Sequence, residues 1–146
     1  MYLTKLLKIN NMKGYVDNIE EKTEENANFR EVVYTGNNLQ LVVMTLKPGE
    51  DIGEEVHPKV DQFFRVEEGK GKIVMDGEET EFGEGFGIVV PSGVRHNLFN
   101  TGDEDLKLYT IYAPVNHLDG VVHATKEDAE ADEADEEFSQ RVNGEI

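Results

Sequence analysis

Residues 53–64 read GEEVHPKVDQFF, and within them Glu55, His57 and Gln62 each carry an atom able to hold a metal ion. In a strand, side chains two apart share a face, so Glu55 and His57 project together while Glu54 and Val56 point the other way. Pro58-Lys59 is a turn signal. If the chain reverses there, Gln62, Phe64 and Val66 face one side of the returning strand, and Asp61, Phe63 and Arg65 the other.

A second segment, residues 83–100, reads GEGFGIVVPSGVRHNLFN. Pro91 presets φ, Ser92-Gly93 completes a turn, and His96 then begins a run in which Leu98 shares its face. His96 is therefore a candidate fourth donor. Spacing alone does not bring the two segments together; that requires a fold.

Outward from these segments the pattern has period two from about residue 29. FREVVYT, NLQLVVMTL, VDQFFRVE, GKIVMD, ETEF, FGIVVP, HNLFN and LKLYTIYA are short runs rich in Val, Ile, Phe, Tyr and Thr, separated by turn-forming stretches such as KPGED, EEGKG and PSG. Short runs at this spacing, with no long helical segment between them, predict an antiparallel all-β sandwich or barrel. Asp76-Gly77 is the strongest hairpin signal. GEGFG at 83–87 departs from Gly-x-Gly-x-x-Gly at Ile88 and is read as a barrel turn rather than a nucleotide loop. Gly-x-Ser-x-Gly is missing from the sequence, so no nucleophile elbow is expected.

The chain has 146 residues, the usual size of one domain. It contains no cysteine, so a metal here must be held by nitrogen and oxygen. A formal charge of −17 argues against nucleic acid and membrane surfaces as partners. The start, MYLTKLLKINNMKGY, lacks the apolar run of a secretory signal, and no stretch is apolar enough to span a bilayer, so a cytoplasmic location is expected. Three segments result: an N-terminal arm over 1–30, polar and weakly periodic; a β domain over 31–125; and an acidic tail over 126–146. The tail favours helix through its Ala and Glu, but its eight acids between 127 and 137 repel one another, so a frayed helix or a disordered tail is expected in preference to packed structure.

The two segments together resemble the cupin family. Its motifs run G-x5-H-x-H-x3,4-E-x6-G and G-x5-P-x-G-x2-H-x3-N, and the spacing matches at Gly49, Glu55, His57, Gln62 and Gly69, then at Gly85, Pro91, Gly93, His96 and Asn100. The resemblance covers roughly residues 38–113 and implies a double-stranded β-helix, the cupin jelly-roll barrel. It also implies a divalent metal ion (Mn, Fe, Ni or Zn) at Glu55, His57, Gln62 and His96, within walls such as Phe64, Val66 and Leu98. The set departs from the usual three His and one Glu: the carboxylate sits at the first position, and an amide stands where a carboxylate is usual. Two His and one carboxylate still suit such ions with open positions, and Gln62 either completes the shell or bonds a bound water.

The resemblance implies a small-molecule substrate or ligand and a homodimer. Two functions follow: a metal-dependent enzyme of the isomerase or dioxygenase type acting on a small oxygen-rich metabolite, or a non-catalytic ligand-binding or sensor protein. A sugar-phosphate isomerase would want cations in its pocket, and few are evident. Arg65, Arg95, Lys70 and Lys72 lie in or beside the motifs and are read as solvent or rim groups, Arg95 pointing away from the metal side. His117 and His123 flank the LDG turn and read as exposed loop histidines, with the pocket rim or a subunit interface as the alternative.

Overall fold

The computed structural model describes residues 13–146. The first twelve residues of the arm therefore lie outside the described residues. All eight runs form strands: β1 Arg30–Thr35, β2 Gln40–Leu46, β3 Asp61–Glu68, β4 Gly71–Met75, β5 Glu78–Phe82, β6 Gly87–Val90, β7 His96–Asn100 and β8 Leu106–Ala113. A two-residue strand, β9 Val122–His123, follows. The strands form a six-stranded sheet ordered β6-β3-β8-β2-β1-β9 and a three-stranded sheet ordered β5-β4-β7, and every pairing is antiparallel. This is the jelly-roll architecture the motifs imply.

Alternation decides what each strand buries. On β3, Gln62, Phe64 and Val66 are buried while Asp61 is exposed, as period two requires. β8 repeats the pattern through Leu106, Leu108, Thr110 and Tyr112. Both inner faces meet in one apolar cluster that includes Met44, Leu46, Phe64, Val66, Ile73, Phe82, Leu98 and Leu108. Asp76 and Gly77 both adopt positive φ, 48° and 84°, which is the twist a two-residue hairpin between β4 and β5 needs. Asn100 ties the end of β7 to β2 and to the loop before β8. Its Nδ2 donates to the carbonyls of Leu46 and Glu104 at 2.9 Å each, and its Oδ1 accepts from the Gly102 N–H at 2.9 Å.

The ends of the chain differ from expectation. Part of the arm is helical: α1, Ile19–Glu25, starts at Asn18, whose side chain accepts from the Glu21 N–H, and buries Thr23. The acidic tail is packed rather than frayed. It forms α2, Lys126–Ala131, and α3, Glu133–Val142. Thr125 and Asp128 build a reciprocal capping box, and Asp132 caps α3 by accepting from the Asp135 N–H. Acids in first helical turns face the positive dipole end, which offsets part of their mutual repulsion. Asp135 and Asn143 are buried, and Ala129 and Val142 pack on the core.

Candidate metal centre

The two motif segments meet through their backbones. The Glu55 N–H donates to the His96 carbonyl and the His96 N–H to the Glu55 carbonyl, both at 2.9 Å. Gly93 N–H donates to the His57 carbonyl at 2.9 Å, and Ser92 N–H to Asp61 Oδ1 at 2.8 Å. The PSG turn is thereby tied to the HPK turn. Glu55, His57 and His96 are thus anchored in one framework.

Their donor atoms all lie within 4.8 Å of one another, and both histidines are buried. Ligand atoms about 2.1 Å from a shared ion stand roughly 3.0–4.2 Å apart, so small side-chain rotations would close the shell. His57 Nε2 lies 2.9 Å from Glu55 Oε2, yet it is off the hydrogen-bond axis and has no partner of its own. Two donors drawn close but not aimed at each other fit a common third point. His96 Nδ1 sits 2.9 Å from the Val94 carbonyl; donating its proton there leaves Nε2 with a free lone pair. Burial and the neighbouring His57 push the His96 pKa down, so its imidazole is neutral at pH 7. Burial alone would raise Glu55, but the contact with His57 and the charge of Arg30 outweigh it and hold the carboxyl at about 2. Two imidazole nitrogens and one carboxylate, with an orphaned nitrogen among them, fit a divalent ion.

Gln62 is buried on β3, opposite Val90 and Tyr112. Its Nε2 donates to Thr110 Oγ1 at 3.0 Å, and its Oε1 is buried without a partner. The amide oxygen is thus the free end.

Glu55 and His57 line a cavity of about 110 Å³ whose far wall is the tail: Lys126, Asp135 and Glu136 share it with Arg30 and His117. His117 and His123 are buried, not exposed loop histidines, because α2 and α3 bring them partners. His123 Nε2 meets Asp132 Oδ2 at 2.9 Å. His117 Nδ1 meets Asp135 Oδ2 at 2.7 Å, and its Nε2 meets the Tyr112 hydroxyl at 3.2 Å. Burial and the Arg30 charge lower the His117 pKa, so the neutral ring donates from Nδ1 to Asp135 and accepts at Nε2 from Tyr112. Burial raises the Tyr112 hydroxyl, which keeps its proton. Its ring stands 6.0 Å from that of His57.

The cations beside the motifs stay away from the cavity. Arg95 is exposed near Glu54 at 3.9 Å, and Lys72 reaches Glu79 at 3.1 Å. Arg30, which residue spacing alone does not single out, lines the cavity together with Lys126. Its signal is alternation: on β1 it shares a buried face with Val32. A larger hollow of about 550 Å³, lined by Lys70, Glu84 and Glu104, holds no histidine, and its size does not make it a metal centre.

Residues 42–112 match the family model described as Cupin domain. The chain is 46% identical over 134 residues to the uncharacterized protein YrkC of Bacillus subtilis, covering 88% of this chain and 72% of that one. It is 42% identical over 118 residues to the uncharacterized protein L612 of Acanthamoeba polyphaga mimivirus, covering 77% and 73%. The crystal structure of BH2720 from Bacillus halodurans superposes with a TM-score of 0.81 at 44% identity, covering 83% of this chain and 96% of that one.

Proposed function

The chain belongs to the cupin family, and from that premise we propose that it is a divalent-metal-dependent enzyme acting on a small oxygen-rich metabolite, of the isomerase or dioxygenase type. The observation that carries this reading is the convergence of Glu55, His57 and His96 with His57 Nε2 left unpartnered. Mn, Fe, Ni or Zn held by these three residues would polarise a carbonyl or hydroxyl oxygen or activate dioxygen.

The remaining chemistry belongs to the chain. Glu55 supplies the anionic donor, and Val94 fixes the His96 ring. Gln62 Oε1 either completes the shell or accepts from a bound water. Tyr112 keeps its proton and donates a hydrogen bond to the neutral His117 ring, which Asp135 orients across the 2.7 Å contact. Phe64, Val66 and Leu98, expected as walls, belong to the barrel core, and the apolar groups at the cavity that lower the local dielectric are Phe29, Ile52 and Ala129.

Elemental analysis of the purified full chain tests the reading. Close to stoichiometric Mn, Fe, Ni or Zn is expected, and His57→Ala should lose it while keeping the wild-type far-UV circular dichroism. Protein that takes up none of the four ions refutes it. Bound metal without turnover of any hydroxy or carbonyl substrate would favour the alternative, a ligand-binding or sensor cupin. A homodimer is part of the proposal: β6 is a sheet edge and carries the exposed Val89 next to Phe86. Sedimentation should report twice the chain mass.

A further inference from the structure

Arg30 is 6% exposed, and its Nε is buried with no hydrogen-bond partner. The backbone pins it: Arg30 pairs with Met44 of β2 on one side and His123 of β9 on the other. The guanidinium carbon lies 5.3 Å from the Phe29 ring centre, and one terminal nitrogen stands 3.4 Å from His123 Nδ1. Among the described residues it forms no ion pair. A buried guanidinium with an unused donor and no counter-ion is costly to keep. Its place explains it: Arg30 lines the same cavity as Glu55 and His57.

Two acids of the cavity, Asp135 and Glu55, are already committed. Asp135 accepts from His117 with one oxygen and from the Leu118 N–H with the other, at 2.7 and 2.8 Å. Glu55 is drawn to His57. The other cation at the cavity, Lys126, is held by Asp51 at 2.7 Å. A cavity of about 110 Å³ is well below the roughly 300–1,000 Å³ of pockets for drug-sized ligands. Glu130 and Glu136 of the tail also line it, which disfavours a phosphate dianion relative to a singly charged group.

We propose that Arg30 is the substrate-anchoring residue, and that the cavity takes a short-chain hydroxy- or oxo-monocarboxylate whose carboxylate pairs with Arg30 while its hydroxyl or carbonyl oxygen faces Glu55, His57 and His96. The substrate end of this arrangement rests on the metal reading above; the Arg30 end does not. A carboxylate matches the forked donors of a guanidinium and fills the place that no acid of the protein occupies.

The test uses the full metal-loaded chain and isothermal titration with lactate, pyruvate, neutral 1,2-propanediol and inorganic phosphate. Lactate and pyruvate are expected to bind more tightly than propanediol and phosphate. Arg30→Gln should weaken both acids about 10- to 100-fold, with metal content and propanediol binding unchanged, and Arg30→Lys should recover part of the loss. Unchanged acid binding in Arg30→Gln, or propanediol or phosphate binding as tightly as lactate, overturns the proposal. If Arg30→Gln does not fold, Arg30→Lys and the thermal shift of the wild type with each probe decide, and equal shifts for lactate and propanediol refute it. Protein that binds lactate through Arg30 but takes up no metal sinks the metal reading alone. Metal-loaded protein indifferent to lactate sinks this one alone.

Discussion

Replacing Asp135 by alanine tests whether the tail is structural. Asp135 is 4% exposed and accepts from a buried donor, His117 Nδ1 at 2.7 Å, and a half-buried one, the Leu118 N–H at 2.8 Å. Alanine leaves both without a partner; an orphaned buried donor costs about 1–3 kcal/mol and the half-buried Leu118 N–H somewhat less, so the loss should be about 2–5 kcal/mol. For a domain of this size that corresponds to a melting temperature lower by roughly 6–20 °C. Asp135→Asn keeps a carbonyl oxygen for one of the two donors and should lose about half as much. The sequence has no tryptophan, so urea titration is best followed by far-UV circular dichroism, with a Glu-specific protease as a second probe of α2 and α3. A loss below about 0.5 kcal/mol for Asp135→Ala, the range of ordinary surface substitutions, with an unchanged cleavage pattern, would refute the packed tail.

The same pair makes stability sensitive to acid. Burial and Arg30 hold the folded His117 pKa below its ordinary 6.5, so the unfolded chain binds the proton first and stability should fall as pH drops below about 6.5. Burial would raise Asp135, but its contacts with His117 outweigh that and lower it, so a further loss should appear as pH falls below 3.8; Asp135→Asn should remove that second step in a urea series across pH. Asn100→Ala strips partners from three backbone groups and should cost about 2–4 kcal/mol by urea titration, with metal uptake per folded chain unchanged. Gly77→Ala meets no atom within 4 Å, so its expected cost of about 1–2 kcal/mol comes from the positive φ alone. A larger loss there would mean the hairpin is held by more than its turn.

The barrel was legible because its signals are local. Period two on β3 and β8, Asp76-Gly77 and the spaced turn residues each act over a few positions, and burial follows them residue by residue. Glu55 and His57 share a face by strand geometry, but their meeting with His96 depends on the paired bonds between residues 55 and 96, which no local pattern encodes; the motif spacing supplied it. Arg30 lay hidden for a different reason. Its strand was evident, but an arginine on a buried face reads as an exception until the cavity behind it is known.

The tail shows where charge counting fails. Summed over 126–146, the acids predict mutual repulsion and an unpacked chain, because a sum ignores where each charge points. In the fold the acids are sorted by task. Asp128 and Asp132 cap helices, Asp132 also meets His123, and Asp135 holds His117. Each of these partners lies at a helix start or on a buried imidazole, where a negative charge is attracted rather than repelled. Glu127, Glu133 and Glu137 remain outside, solvated and screened. Because Asp135 binds the histidine that faces Tyr112, the segment expected to be frayed or disordered forms one wall of the cavity and orients the imidazole there. Removing the tail should therefore open the cavity and lower the stability of the barrel together, since Ala129 and Val142 also pack on the core.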